Sequence, residues 1–235
     1  MSSLAKNRSI VHLFETQKLN RRSIGLEDSL QTSKAMTRSQ QRRHDDIVHA
    51  ALKIFDRDGF EAAKMADIAA EAGVAKGTLY LYFDTKADLM EGVIVSTVLP
   101  ALQKIGDAAL NDSGTARERL EQQMRIAAKR MASPEMAILL RHMISNGHQH
   151  QSVVKFYYDK VVQMGVEHIK ATLEYGVKTG EFRAEVKDID PLVFVGAPIY
   201  TSVWNTLFSD LQPLDADKLI DDYLDTVTLG LLAER

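Results

Sequence analysis

The stretch Met65–Phe83, MADIAAEAGVAKGTLYLYF, puts two helices and a turn where neither helix is long enough to stand alone. Helices this short do not persist in water, so each must be held by packing. Ile68, Ala69 and Ala72 mark the first, and Gly73 supplies a turn residue that takes positive φ at little cost. The spacing predicts a second helix over about Lys76–Phe83, with Val74, Leu79 and Phe83 as its buried stripe. Small side chains at Ala69 and Ala72 suit a close crossing of the two. That stripe leaves over Lys76, Gly77, Thr78, Tyr80, Leu81 and Tyr82, more aromatic and apolar surface than so short a helix needs for its own burial.

Those leftover residues have the chemistry of a DNA groove. A helix-turn-helix lays its second helix in the major groove while the first crosses and braces it. Lys76 and the hydroxyls of Thr78, Tyr80 and Tyr82 suit phosphates or base edges, Gly77 lets the backbone come close, and Leu81 suits a thymine methyl. Lys86 opens the next helix, where an ammonium and free backbone N–H groups together attract a phosphate. The competing reading of Tyr80 and Tyr82 is a short core helix in a bundle.

A formal net charge of -3 means that any nucleic-acid surface must be local. Positive charge gathers at the front: Lys6, Arg8, Lys18, Arg21, Arg22, Lys34, Arg38, Arg42 and Arg43 precede His44, against only Glu15, Glu27 and Asp28. Arg42 and Arg43 suit an arm that reaches a phosphate or the minor groove, and equally a solvated helix start. Residues 1–36 show no sustained period and read as a basic, disordered tail, with Met36 an alternative start; an organelle leader shares that composition. The absence of cysteine removes thiol chemistry and disulfides. No run approaches the roughly 18 apolar residues of a membrane span, so a cytoplasmic protein without a membrane partner is expected.

The rest of the chain reads as all-α. Ile47, Val48, Ala51, Leu52, Ile54 and Phe55 form one face of a helix from Asp45 that Gly59 stops. Asp84 is the expected N-cap of the helix that carries Leu89, Val93 and Ile94. Ser133 and Pro134 open another, which Asn146 and Gly147 end. A long helix runs from Ser152 to Gly180 with Val154, Tyr158, Val161, Gly165, Ile169, Leu173 and Gly176 on one side; a further one follows Asp190 and Pro191, with a kink at Pro198, and a last amphipathic helix closes the chain.

With IFDRDGF closing the first helix, DIAAEAGVAKGTLYLYF in register and TKADLM after it, the segment from Asp45 to Val93 resembles the TetR family of bacterial transcriptional regulators. The resemblance implies a helix-turn-helix DNA-binding domain over 37–92 and a larger helical effector-binding and dimerisation domain over 93–235. It implies a homodimeric repressor on double-stranded, palindromic operator DNA, released by a small-molecule effector, with no cofactor. Carried over by position, Lys76, Gly77, Thr78, Tyr80, Tyr82 and Lys86 are the DNA contacts. Two departures stand out: Lys64 opens the second helix where the family often has Ser or Thr, and Leu81 fills a place often polar. Leu81, Lys64, Arg42 and Arg43 complete the expected DNA surface.

For the effector, Met143, Phe156, Tyr157, Met164, Phe194, Tyr200 and Trp204 are candidate lining, although each residue type is also ordinary core. The Val154–Gly176 stripe is read as a dimer contact. His142, His148 and His150 invite a metal reading, but a surface loop suits GHQHQ better and no metal is assigned. No phosphate loop, nucleophile elbow or His-Glu metal helix points to an enzyme. The rival function is a DNA-bound protein of the same family that recruits a protein partner without sensing a ligand.

Overall fold

The computed structural model describes residues 37–109 and 114–233. The expected basic tail and the alternative start at Met36 lie outside the described residues. Among the described residues the architecture is helical, with one isolated antiparallel bridge between Phe182 and Leu232.

Helix α1 spans Arg38–Ala62 and starts earlier than the apolar period suggests. Its first turn is set by Thr37 and Gln40, each of whose side chains accepts from the other's backbone N–H, at 3.3 and 2.8 Å. Gly59, at φ 75 and ψ 160, breaks the helix and sends Phe60 inward. Helix α2 spans Met65–Glu71, and as its sequence suggests it has no side-chain cap at Lys64. Gly73, at φ 65, ends it: Gly73 N–H donates to Ala70 and Val74 N–H to Ala69, the double bond that closes a helix through a left-handed residue. Helix α3 spans Lys76–Tyr80, and Leu81 to Phe83 continue as a tight turn rather than as regular helix.

Helix α4, Lys86–Ala109, is capped by Thr85 and Asp88 in a reciprocal pair at 2.9 and 3.1 Å, not by Asp84 as expected. By length and apolar content α4 could cross a membrane, yet Leu89, Met90, Val93, Ile94, Val98, Leu102 and Ile105 are buried against this chain's own helices. Helix α5, Ala116–Met131, carries a capping box from Thr115 and Glu118, and the Glu181 carboxylate accepts from its first two N–H groups at 2.6 and 3.1 Å. Helix α6, Pro134–Asn146, starts at the expected Ser133 cap with proline in its first turn.

The long helix foreseen after Ser152 exists but is interrupted. Helix α7, Gln151–Tyr157, passes through a π turn at Tyr158–Val162 into α8, Gln163–Thr179, which Gly180 ends at φ 75. Helices α9, Leu192–Leu207, and α10, Ala216–Leu229, complete the body, with Pro198 inside α9 and Asp215 capping α10. The chain beyond α10 pairs with 181–183: Arg183 N–H donates to Leu231 and Ala233 N–H to Glu181, both at 3.0 Å.

Two apolar cores result. One joins α1, α2 and α3 to α4, α6 and α7 through Ile47, Ile54, Ile68, Leu79, Leu89, Met136, Leu139 and Val153. The other joins α5, α8, α9 and α10 through Leu120, Met124, Ile169, Leu173, Phe182, Phe194 and Ile220. Burying each such side chain contributes about 1.5–3 kcal/mol before chain entropy is set against it. Of the stripe read as a dimer contact, Val161, Ile169, Leu173 and Gly176 are buried inside the chain, where a Cβ at Gly176 would collide with the Phe182 ring, while Val154 and Gly165 are half-buried and Tyr158 is exposed. Further exposed apolar surface lies on α9, at Leu192, Val193, Ile199, Tyr200 and Leu207.

Candidate nucleic-acid interface

The short helix α3 is held from behind. Leu79 is fully buried and Phe83 nearly so, while the His44 ring of α1 lies 5.2 Å from Phe83 and 6.4 Å from Tyr82, centroid to centroid. Helix α4 leaves room for Phe83 through Gly92, where a Cβ would stand 2.6 Å from the ring. Held this way, α3 turns its other side outward. Leu81 is 84% exposed and Tyr80 40%, Lys76 and Gly77 are exposed, and Thr78 and Tyr82 are half-buried. The Lys76 ammonium lies 5.9 Å from the centre of the Tyr80 ring. Lys64, Arg42 and Arg43 are exposed on α1 and at the start of α2. A leucine left this bare beside two tyrosines and a lysine is the mixed apolar and hydrogen-bonding surface that base edges and phosphates require.

Lys86 is placed differently from that expectation. Its ammonium turns back onto α1, donating to the carbonyls of Phe60, Glu61 at 2.9 Å and Ala63 at 3.1 Å, so all three N–H groups are committed. Burial lowers its pKa, and the charge stands 4.6 Å from the Phe60 ring centre. Here Lys86 closes the end of α1, whose last carbonyls would otherwise lack donors.

Phe60 is the centre of a junction that the sequence did not announce. The His142 ring of α6 lies 4.1 Å from it, His150 lies 4.8 Å away, and the two imidazoles are 5.6 Å apart. His150 pairs with Glu61, and Arg141 with Asp56 at 3.4 Å, so residues 141–150 grip 56–61 of α1. Burial first, and then His150, hold His142 down at about 4; the bond from His150 keeps the Glu61 carboxyl below its ordinary value. The one available signal was the Gly59–Phe60 pair, since a glycine that breaks a helix just before a large aromatic redirects that ring. His148 is exposed, and its ring lies 3.2 Å from the Gln149 amide nitrogen. Among the described residues no three His, Asp or Glu side chains converge where an ion could sit.

The seven residues expected to line one effector site fall in separate places. Met143, Phe156, Tyr157 and Met164 pack around the first core, and Phe194 sits inside the second. Tyr200 and Trp204 of α9 and Phe208 at its end form a tilted, edge-on row, at 5.8 and 5.1 Å between successive rings. Burial pushes the Tyr157 hydroxyl up to about 12. The polar group that sequence reasoning passed over lies on α5 and α8. Gln123, His168 and Thr172 occupy apolar register positions beside Met124, Ile169 and Leu173, and all are buried.

A family model described as "Bacterial regulatory proteins, tetR family" matches residues 47–93, and one described as "Tetracyclin repressor-like, C-terminal domain" matches residues 110–227. The chain is 26% identical to the HTH-type transcriptional regulator YfiR of Bacillus subtilis over 200 residues, which cover 80% of this chain and 93% of that protein. Its fold is similar to that of a TetR-family transcriptional regulator from Mesorhizobium loti, with a TM-score of 0.68 at 20% identity over 83% of this chain and 98% of the other. It is also similar to FadR of Bacillus subtilis, solved in complex with stearoyl-CoA, with a TM-score of 0.65 at 21% identity over 80% and 99%.

Proposed function

The chain belongs to the TetR family of bacterial transcriptional regulators, and on that premise we propose that it is a homodimeric repressor whose α3 reads a palindromic operator until a small effector binds. Residues 37–92 form the reading head and 93–235 the sensing and dimerising body. The observation that carries this reading is the contrast between Leu79, buried inside α3, and Leu81, 84% exposed in the turn that ends it. A helix so short gains nothing from an exposed leucine unless something covers it. Lys76, Thr78, Tyr80, Leu81 and Tyr82 meet the major groove, Gly77 lets the backbone approach, and Lys64, Arg42 and Arg43 flank it on phosphates. Lys86 acts one step back, by fixing the end of α1.

Dimerisation follows from the apolar side of α9, which two copies would cover reciprocally. Two reading helices roughly 34 Å apart then engage successive major grooves on one side of the duplex. A small-molecule effector is supported by the similarity to FadR, which was solved in complex with stearoyl-CoA. We assign no enzymatic role and place the protein in the cytoplasm, where its DNA is. An electrophoretic shift with DNA from upstream of its own gene tests the reading. A retarded complex that survives competitor DNA at moderate salt is expected; equal affinity for every duplex would sink the repressor assignment.

A further inference from the structure

Between the two apolar cores lies a junction of α4, α5 and α8 that is polar where packing alone would favour hydrocarbon. Gln123 and Thr172 are fully buried and His168 is 4% exposed. The Gln123 amide nitrogen donates to the Thr172 hydroxyl at 2.9 Å and lies 3.3 and 3.4 Å from the carbonyls of His168 and Ile105. Thr172 in turn donates to the His168 carbonyl at 3.3 Å. These partners are all acceptors towards Gln123, so they fix which end of its amide faces them. The other end, Oε1, is buried with no partner, and so is Nδ1 of His168.

The imidazole is accommodated deliberately close to α4, since a Cβ at Gly106 would stand 2.9 Å from its Nε2. Burial lowers the His168 pKa, so the ring is neutral at neutral pH. Two desolvated polar atoms without partners are a cost that methionine or leucine would not carry. We propose that this junction is the polar anchor of the effector site, and that it takes an uncharged, largely apolar molecule presenting one hydrogen-bond donor, such as an aliphatic alcohol or amide. The proposal rests on the regulator reading given above.

The chemistry follows from what is left open. Of the two open atoms Gln123 Oε1 can only accept, so the ligand must bring a donor to it, and a carboxylate would set a negative charge against that lone pair; His168 Nδ1 accepts or donates according to its tautomer. Leu102 and Ile105 of α4, Met124 of α5, and Ile169 and Leu173 of α8 are buried on the same three helices and are apolar, which sets the character of the remainder. The π turn at Tyr158–Val162, just before α8, is the place where that helix departs from a regular ladder, a feature often found beside functional sites.

The test uses the full chain with 1-octanol, 1-methoxyoctane and octanoate at pH 8, read as thermal-midpoint shifts and as Kd by calorimetry. Octanol is expected to raise the midpoint, and the ether and the carboxylate to bind at least about tenfold more weakly, because neither supplies the donor. Gln123→Met is expected to bind octanol at least about tenfold more weakly while melting, ligand-free, at or above the parent temperature. Equal binding of octanol and its methyl ether, no binding of octanol, or undiminished octanol binding by Gln123→Met would each overturn the proposal. The comparison among probes needs no variant and so stands even if Gln123→Met fails to fold. An operator shift run in parallel separates the two readings: operator binding without probe discrimination refutes the anchor alone, and discrimination without operator binding refutes the regulator alone.

Discussion

His142 shows what a single buried ring does to the pH response of this protein. Its pKa falls from 6.5 to about 4, because the imidazole packs on Phe60 and next to His150. A base whose folded pKa is depressed contributes nothing above 6.5, where it is neutral both folded and unfolded. As pH falls from 6.5 towards 4 the unfolded chain takes up the proton first, so stability is lost across that window, by about 2 kcal/mol over most of it. Urea midpoints at pH 7.5 and pH 5 are expected to show that loss, and His142→Phe to flatten it. The sequence marked His142 only as a candidate metal ligand beside His148 and His150, and nothing in it marks the ring as meeting Phe60. The leftover residues of α3 were legible for the opposite reason. Leu79 and Phe83 are four apart, and burying both leaves Leu81, in the turn between them, on the outer side.

Helices were legible wherever an apolar period met a recognisable stop, as at Gly73 and Gly180. Their ends moved where side-chain chemistry overrode that period. Thr37 with Gln40 extends α1 back to Arg38, and Thr85 with Asp88 takes the cap expected of Asp84. At this scale α3 gives a paired prediction. Leu79→Ala opens a cavity beneath the reading helix and is expected to cost about 2–5 kcal/mol by chemical denaturation. Leu81→Ala removes only exposed surface and is expected to change stability by no more than about 0.5 kcal/mol. Operator affinity should nevertheless fall in both, and a Leu81→Ala protein that binds its operator unchanged would take Leu81 out of the interface.

Across the whole molecule the division into two cores explains both what was foreseen and what was not. The apolar period correctly gave helices, but one stripe can serve a core, a ligand or a second copy with the same residue types. Val161, Ile169 and Leu173 went to the cores, while α9 kept Ile199, Tyr200 and Leu207 at the surface. Leu207→Glu is expected to shift the protein from dimer to monomer in light scattering, and to weaken operator binding by more than any single rim charge would. The π turn has a further consequence. One added residue advances a helix by about 100°, so α7 can present Val153 to the first core while α8 presents Ile169 and Leu173 to the second. The irregularity is therefore a phase shifter between two gears. Deleting Lys160 would restore a regular hydrogen-bond ladder and is expected to abolish cooperative unfolding, because the more ideal helix would carry one of its two faces into water.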